Sequence, residues 1–209
     1  MPVIALIGNK GGAGKTTLCV NLASALGANN PTVILDADPQ QSSLQWCDIA
    51  ENNETVEVIE ASENIASVLE GVADQYHHQL IDCPPSVHSE QMQQALRIAD
   101  IAIVPVQPSP LDIWATVHIE NAVEEAREHN PGLQAVLVIN QFESRTKLSK
   151  IMQRALQELS LPAAETIIRR RAVYRNSFLE GRTVHQMGSR GSAASDEINE
   201  LIREVEKLI

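Results

Sequence analysis

Gly8-Asn9-Lys10-Gly11-Gly12-Ala13-Gly14-Lys15-Thr16-Thr17 follows an apolar run, Val3–Ile7. It leads into Thr16–Leu26, where Leu18, Leu22, Ala25 and Leu26 recur at a helical period. A glycine-rich loop between a strand and a helix is the setting of a phosphate cradle. Glycines let the backbone curl until successive N–H groups face phosphate oxygens. The helix that starts near Lys15 adds its positive end. Lys15 then neutralises the β- and γ-phosphates of a nucleoside triphosphate, and Thr16 sets a hydroxyl on Mg²⁺. ATP and Mg²⁺ are the expected ligands, with Lys10, Gly11, Gly12, Ala13, Gly14, Lys15, Thr16 and Thr17 forming the cradle. The bland alternative is a glycine-rich turn with no ligand. The coincidence of two lysines, two threonines and four glycines in this setting argues against it.

Outward from the loop, strand and helix alternate. Thr32–Leu35, Val56–Ile59, Leu80–Ile81, Ile101–Val106 and Gln134–Ile139 read as strands. Asn64–Leu69, Ser89–Ile98, Leu111–His129, Lys147–Leu159 and Ser195–Leu208 read as helices. Alternation of this kind predicts an α/β fold, a doubly wound and mostly parallel sheet. No repeat, linker or low-complexity segment breaks the chain, so residues 1–209 are expected to form a single domain. Ligands of such sheets sit at the carboxyl ends of the strands. Gly8, Asp36, Asp82 and Pro105–Gln107 all fall there.

The ordinary pattern GxxxxGK[ST] wants glycine where Asn9 stands; the residues present read KGGxGKTT. That variant resembles the deviant Walker A loop of the ParA/MinD family of P-loop ATPases. The resemblance extends from Val3 to the Gly181–Val184 region. In that family a lysine at the place of Lys10 reaches across a dimer to the other subunit's nucleotide. The resemblance therefore implies an ATP-sandwich homodimer, with Lys10, Lys15 and Asp38 as the catalytic set. The alternative reading of the residues is that Lys10 is a solvated lysine beside the site.

Leu35-Asp36-Ala37-Asp38-Pro39-Gln40 ends the second strand. Two carboxylates beside a triphosphate repel it unless a cation or a positioned water uses them. The resemblance gives Asp36 the magnesium shell and Asp38 the attacking water; phosphoryl transfer asks mainly for positioning. The competing reading is a strand-end turn or helix cap. Leu80-Ile81-Asp82-Cys83-Pro84-Pro85 resembles the family's Walker B end, with Asp82 holding Mg²⁺ through water. Thr16, Asp36 and Asp82 are thus the expected metal residues. Pro105–Asp112 matches the PVxPSPLD of small ParA-type proteins, placed at the nucleotide rim or dimer seam. Asn140 stands where a family asparagine contacts adenine. His77–His78 are adjacent and point opposite ways on a strand, which reads as ordinary histidines and not a metal pair.

Hydrophobic residues make up 44% and charged residues 21%, as in a globular protein able to bury its own core. Three widely spaced cysteines, Cys19, Cys47 and Cys83, suggest reduced thiols and a cytoplasmic protein. No apolar run reaches a membrane span, and the N-terminus lacks the basic start of a signal peptide. Net charge is −11, but it is uneven: residues 1–140 hold 4 Lys/Arg against 18 Asp/Glu, and residues 141–209 hold 12 against 9. Such asymmetry hints at an anionic partner. Arg169, Arg170, Arg171 and Arg175 cluster, and Lys147, Lys150 and Arg154 share one helical face. The residues leave two readings open: these cations bind DNA phosphates, or they pair with the acidic excess elsewhere.

Family members without an added DNA-binding domain bind DNA non-specifically as ATP dimers. The small ParA type, which includes plasmid-partition ParA and carboxysome-positioning McdA, rides the nucleoid and moves cargo through an adaptor of the ParB or McdB type that stimulates hydrolysis. The same is expected here. A MinD-like membrane-cycling regulator is the alternative. It is disfavoured because the last helix sets its apolar stripe, Ile198 to Ile209, opposite an acidic face, which anionic lipid repels. An electron-donating reductase has no evident cysteine ligand set, and a metabolic ligase has no evident substrate pocket.

Overall fold

A computed structural model describes residues 2–50, 56–143 and 159–209. Its six strands are β1 (Val3–Leu6), β2 (Thr32–Asp36), β3 (Glu57–Glu60), β4 (His78–Asp82), β5 (Ile101–Val106) and β6 (Gln134–Ile139). They form one sheet in the order β3-β2-β4-β1-β5-β6, and every pairing is parallel. The helices are α1 (Lys15–Gly27), α2 (Ser42–Ile49), α3 (Ile65–Val72), α4 (Glu90–Ile98), α5 (Pro110–Arg127), α6 (Ala172–Leu179) and α7 (Ser192–Val205), with a 3₁₀ segment at Val184–Arg190.

The strands read as unbroken apolar runs because both faces of the sheet are covered. Successive residues feed two separate cores. Val3 and Ala5 join Val33 and Leu35 on one face, while Ile4 and Leu6 join Ile34 and Leu80 on the other. The first face is covered by α3, α4 and α5 through Ile65, Met92 and Val123. The second is covered by α1, α2, α6 and α7 through Leu22, Trp46, Tyr174 and Ile198. This is the doubly wound arrangement expected from the alternating pattern. Asn64, Ser89 and Ser109 each cap a helix by accepting a backbone N–H three residues on.

Three elements differ from the sequence reading. β4 begins two residues earlier than expected, at His78-Gln79. Both are buried, and the His78 ring faces the Thr32 hydroxyl at 3.4 Å across the β2–β4 pair. Helices α2 and α6 were not expected at all. Residues 147–158 of the expected helix Lys147–Leu159 lie outside the described residues, as do Lys147, Lys150 and Arg154.

The last helix is docked, as its stripe implied. Ile198, Leu201 and Val205 are buried against the sheet, each worth about 1.5–3 kcal/mol when removed from water. Its carboxylates also pin the chain that precedes α6. Glu204 accepts the backbone N–H groups of Glu165 and Thr166 at 2.8 and 2.7 Å. Glu197 accepts that of Arg169 at 3.2 Å. Among the described residues no helix is long and apolar enough to cross a membrane.

Candidate functional site

The loop from Gly8 to Gly14 leaves the carboxyl end of β1, which sits between β4 and β5 in the sheet. Gly12 and Gly14 have φ of +79° and +98°, a region that favours glycine. A Cβ on Gly14 would come within 2.3 Å of the Asn140 amide nitrogen, so this position admits no side chain. Three side-chain amides grip the loop from outside. Gln107 and Gln141 both donate to the Gly12 carbonyl, at 2.7 and 2.9 Å, and Asn140 donates to the Ala13 carbonyl at 2.7 Å. Holding the carbonyls outward leaves the loop's N–H groups to face the concavity. Helix α1 has no side-chain cap and no acid in its first turn, so its positive end is open to an anion.

Lys15, the first residue of α1, is 7% exposed, and its ammonium contacts the Lys10 carbonyl at 3.5 Å. No carboxylate stands within ion-pairing distance of it among the described residues. Burial pulls its pKa below the ordinary lysine value, opposed by the nearby charges of Asp82 and Asp38. An enclosed cation without a counter-ion is what a triphosphate would complete.

Asp36 and Asp82 end adjacent strands in register, and both are fully buried. Their surroundings separate their tasks. Asp36 Oδ2 accepts the N–H groups of Ser43 and Leu44 at 2.9 and 3.0 Å, and Oδ1 accepts that of Asp38 at 3.2 Å. It therefore caps α2, whose own N-cap residue, Gln41, is left-handed at φ 54° and gives no side-chain bond. Burial still raises its pKa, against the lowering by those N–H groups. Expected beside the magnesium shell, Asp36 has its lone pairs largely engaged by the backbone. The cap reading weighed against that role describes the bonds it makes.

Asp82 is different. Oδ2 accepts the Ser43 hydroxyl at 2.7 Å, while Oδ1 is buried with no hydrogen bond of proper geometry. Burial pushes its carboxyl up to about 6, although the Ser43 and Thr16 hydroxyls beside it favour the charged form. An orphaned carboxylate oxygen near a threonine hydroxyl is a hard-donor setting that fits Mg²⁺. Asp38 is nearly buried and accepts the Gln40 N–H at 2.9 Å, which fixes its carboxylate at the end of β2.

Lys10 behaves unlike Lys15. Its side chain is 37% exposed, and its ammonium pairs with Asp112 at 3.3 Å. Beside it, the first two turns of α5 leave Leu111, Trp114 and Val117 at 63%, 68% and 45% exposure.

The four clustered arginines, expected to bind DNA, stand together beside the phosphate loop. Arg169, Arg170, Arg171 and Arg175 line a cavity of about 430 Å³ that opens beside Gly14 and Thr17, floored by Ile168 and Tyr174. Its size and apolar floor suit a nucleobase next to the phosphate loop. Arg171 pairs with Glu197 at 2.7 Å and Arg170 with Glu143 at 2.6 Å. The bond raises the already high pKa of Arg171. Asn140 also lines this cavity, but its amide is committed to the loop carbonyl and its Oδ1 accepts the Gln141 N–H at 2.9 Å. Its visible task is bracing the cradle. Gln107 lies in the strand-end segment that the sequence placed at the nucleotide rim or dimer seam, whereas Ser43 and Gln141 were not singled out. For Gln141 the available signal was position, just past the end of β6.

The family model for the CobQ/CobB/MinD/ParA nucleotide binding domain matches residues 4–184. The chain belongs to this family. A curated relative, maintenance of carboxysome distribution protein A of Halothiobacillus neapolitanus, is 38% identical over 205 residues, spanning 97% of this chain and 95% of that protein. Two solved folds are similar. Apo McdA of Cyanothece matches with a TM-score of 0.77 at 16% identity, over 97% of this chain and 99% of the other. The septum site-determining protein MinD of Pyrococcus horikoshii, solved with Mg-ADP, matches with a TM-score of 0.74 at 20% identity, over 98% and 97%. The all-parallel order and the loop at β1 are thus those of the ParA/MinD nucleotide-binding fold.

Proposed function

We propose that this ParA/MinD-family chain is a magnesium-dependent ATPase that closes as an ATP-bound homodimer and positions an intracellular cargo over the nucleoid. In the closed state it binds DNA without sequence preference. A cargo-bound adaptor stimulates hydrolysis and releases it. The cargo favoured is the carboxysome, because the 38% identical relative is a carboxysome distribution protein matched over nearly its full length; a plasmid is the second candidate. The cytoplasm, on the nucleoid, is the proposed location.

The observation that carries the reading is the contrast between the two lysines. Lys15 is buried inside its own cradle, whereas Lys10 stands on the rim, half-exposed, next to the apolar stripe of α5. A second copy of this chain would cover Leu111, Trp114 and Val117 and bring Lys10 to its nucleotide. ATP and Mg²⁺ would be held by the loop amides, Lys15, Thr16 and Asp82, with Asp38 orienting the attacking water. The metal would supply charge neutralisation at the β- and γ-phosphates.

The DNA contact rests on Arg169, Arg170, Arg171 and Arg175, of which Arg169, Arg170 and Arg175 are exposed, joined by Arg182 and Arg190 and by Lys147, Lys150 and Arg154. Sedimentation velocity with Mg²⁺ and a non-hydrolysable ATP analogue tests the dimer. The wild type is expected to dimerise with the analogue and not with ADP, and Lys10→Ala to bind nucleotide yet stay monomeric. A Lys10→Ala dimer would remove the reading's basis.

A further inference from the structure

Asp112 lies three residues into the turn that opens α5, and everything about that turn holds it still. Ser109 is the N-cap: its Oγ accepts the Asp112 backbone N–H at 3.2 Å and its hydroxyl donates to the Asp112 carboxylate. Pro110 occupies the first helical turn, where a fixed φ suits the helix. A carboxylate in a first turn is favoured by the helix's positive end. Two residues before Ser109, Gln107 donates to the Gly12 carbonyl at 2.7 Å, which ties the segment to the phosphate loop. The segment from 107 to 112 therefore touches the loop twice, once at Gly12 and once at Lys10.

Lys10 is the movable partner. It hangs from the loop on a flexible stem, and its ammonium meets the fixed Asp112 carboxylate at 3.3 Å, with side chains 37% and 15% exposed. While that pair stands, Lys10 lies against its own subunit. We propose that Asp112 is a positioning residue that holds Lys10 against its own α5 until the nucleotide of a second copy draws it away. The proposal rests on the dimer reading above and adds the group that restrains the crossing lysine. A partly exposed pair of this kind is weak. It biases the lysine without competing against a triphosphate, whose several negative charges outbid one carboxylate. The exchange is one ion pair for another: the Lys10 ammonium leaves Asp112, and Asp112 stays where its cap and the helix end keep it.

Asp112→Asn removes the charge and preserves the cap geometry, and a melting curve confirms that the variant folds. Two measurements test it. In the nucleotide-free monomer, acylation of Lys10 by a soluble N-hydroxysuccinimide ester, followed by peptide mass spectrometry, is expected to be faster in Asp112→Asn. With Mg²⁺ and a non-hydrolysable ATP analogue, its dimer dissociation constant is expected to fall by about two- to fivefold. In a Lys10→Ala background, which has neither a Lys10 to label nor a dimer, Asp112→Asn is expected to leave the melting temperature where Lys10→Ala alone puts it, which a merely structural role of Asp112 would not produce. Unchanged labelling of Lys10 overturns the proposal. So does faster labelling with a dimer constant that is unchanged or higher. A wild type that stays monomeric with the analogue sinks the dimer reading instead, and the labelling rate then decides alone whether Asp112 holds Lys10.

Discussion

Asp82→Asn is expected to melt at a higher temperature than the wild type without nucleotide, and to lose the extra stability that Mg²⁺ with ATP confers. The cause is the orphaned Oδ1 of a fully buried carboxylate. Its folded pKa, about 6, lies above the ordinary 3.8. Between those values the folded protein binds a proton that the unfolded chain does not, so stability falls as pH rises through that window. Above about pH 6 the full penalty is present, of the order of 1–3 kcal/mol at 1.36 kcal/mol per unit. Asparagine cannot ionise, so its melting temperature is expected to vary less between pH 4 and 7. Near pH 7.5 the gain is about 3–8 °C for a chain of this length. It still offers an oxygen to the Ser43 hydroxyl. Calorimetry with and without Mg-ATP checks both halves. A variant that is less stable without ligand, or equally protected by Mg-ATP, would mean that Asp82 serves the fold and not the metal.

Lys15→Ala is expected to weaken ATP binding by at least about 100-fold, since breaking an enclosed charge pair costs about 3–5 kcal/mol. Without nucleotide the same variant is expected to be no less stable than the wild type. The Lys15 ammonium is enclosed with no carboxylate in contact among the described residues, so removing it relieves desolvation. Titration of a fluorescent ATP analogue gives the affinity, and a melting curve gives the stability. An affinity within about threefold of the wild type would contradict the assignment of the cradle. Both substitutions trade function for stability in the same direction, as expected where a site stores unmet charge for its ligand.

The fold was legible because a parallel sheet buried on both faces writes its strands as apolar runs, and β1, β5 and β6 are such runs. What the chain hid follows from interactions at long range. Helix α2 has few buried residues, Ser43 and Trp46, so it lacks an apolar period. Its N-terminal cap comes from Asp36, seven and eight residues upstream of the N–H groups it serves. The start of β4 is polar because His78 and Gln79 are buried beside β2 and β1, a setting that local sequence does not announce.

The site was legible to the same degree. The cradle motif places Lys15, Thr16 and the glycines by spacing alone, since the chemistry depends on consecutive backbone groups. The partners of the arginine cluster were hidden because linear clustering says nothing of them. Glu143 and Glu197, 27 and 26 residues away, neutralise Arg170 and Arg171. The cavity then sets all four arginines beside the phosphate loop. Asn140, expected at the base, lines the same cavity and also braces Ala13, a contact the sequence does not announce because an amide at the end of β6 meets the loop from β1 only once the sheet has formed. The Lys10–Asp112 pair joins two segments that were each recognised separately in the sequence.

On the proposed reading ATP turns this chain into a DNA-binding dimer, and fluorescence anisotropy with a labelled non-specific duplex is the measurement that decides it. Binding is expected with Mg-ATP, to be absent with ADP or no nucleotide, to weaken steeply as salt rises, and to vanish in Lys10→Ala. Equal binding in every nucleotide state, or none in any, would contradict the account.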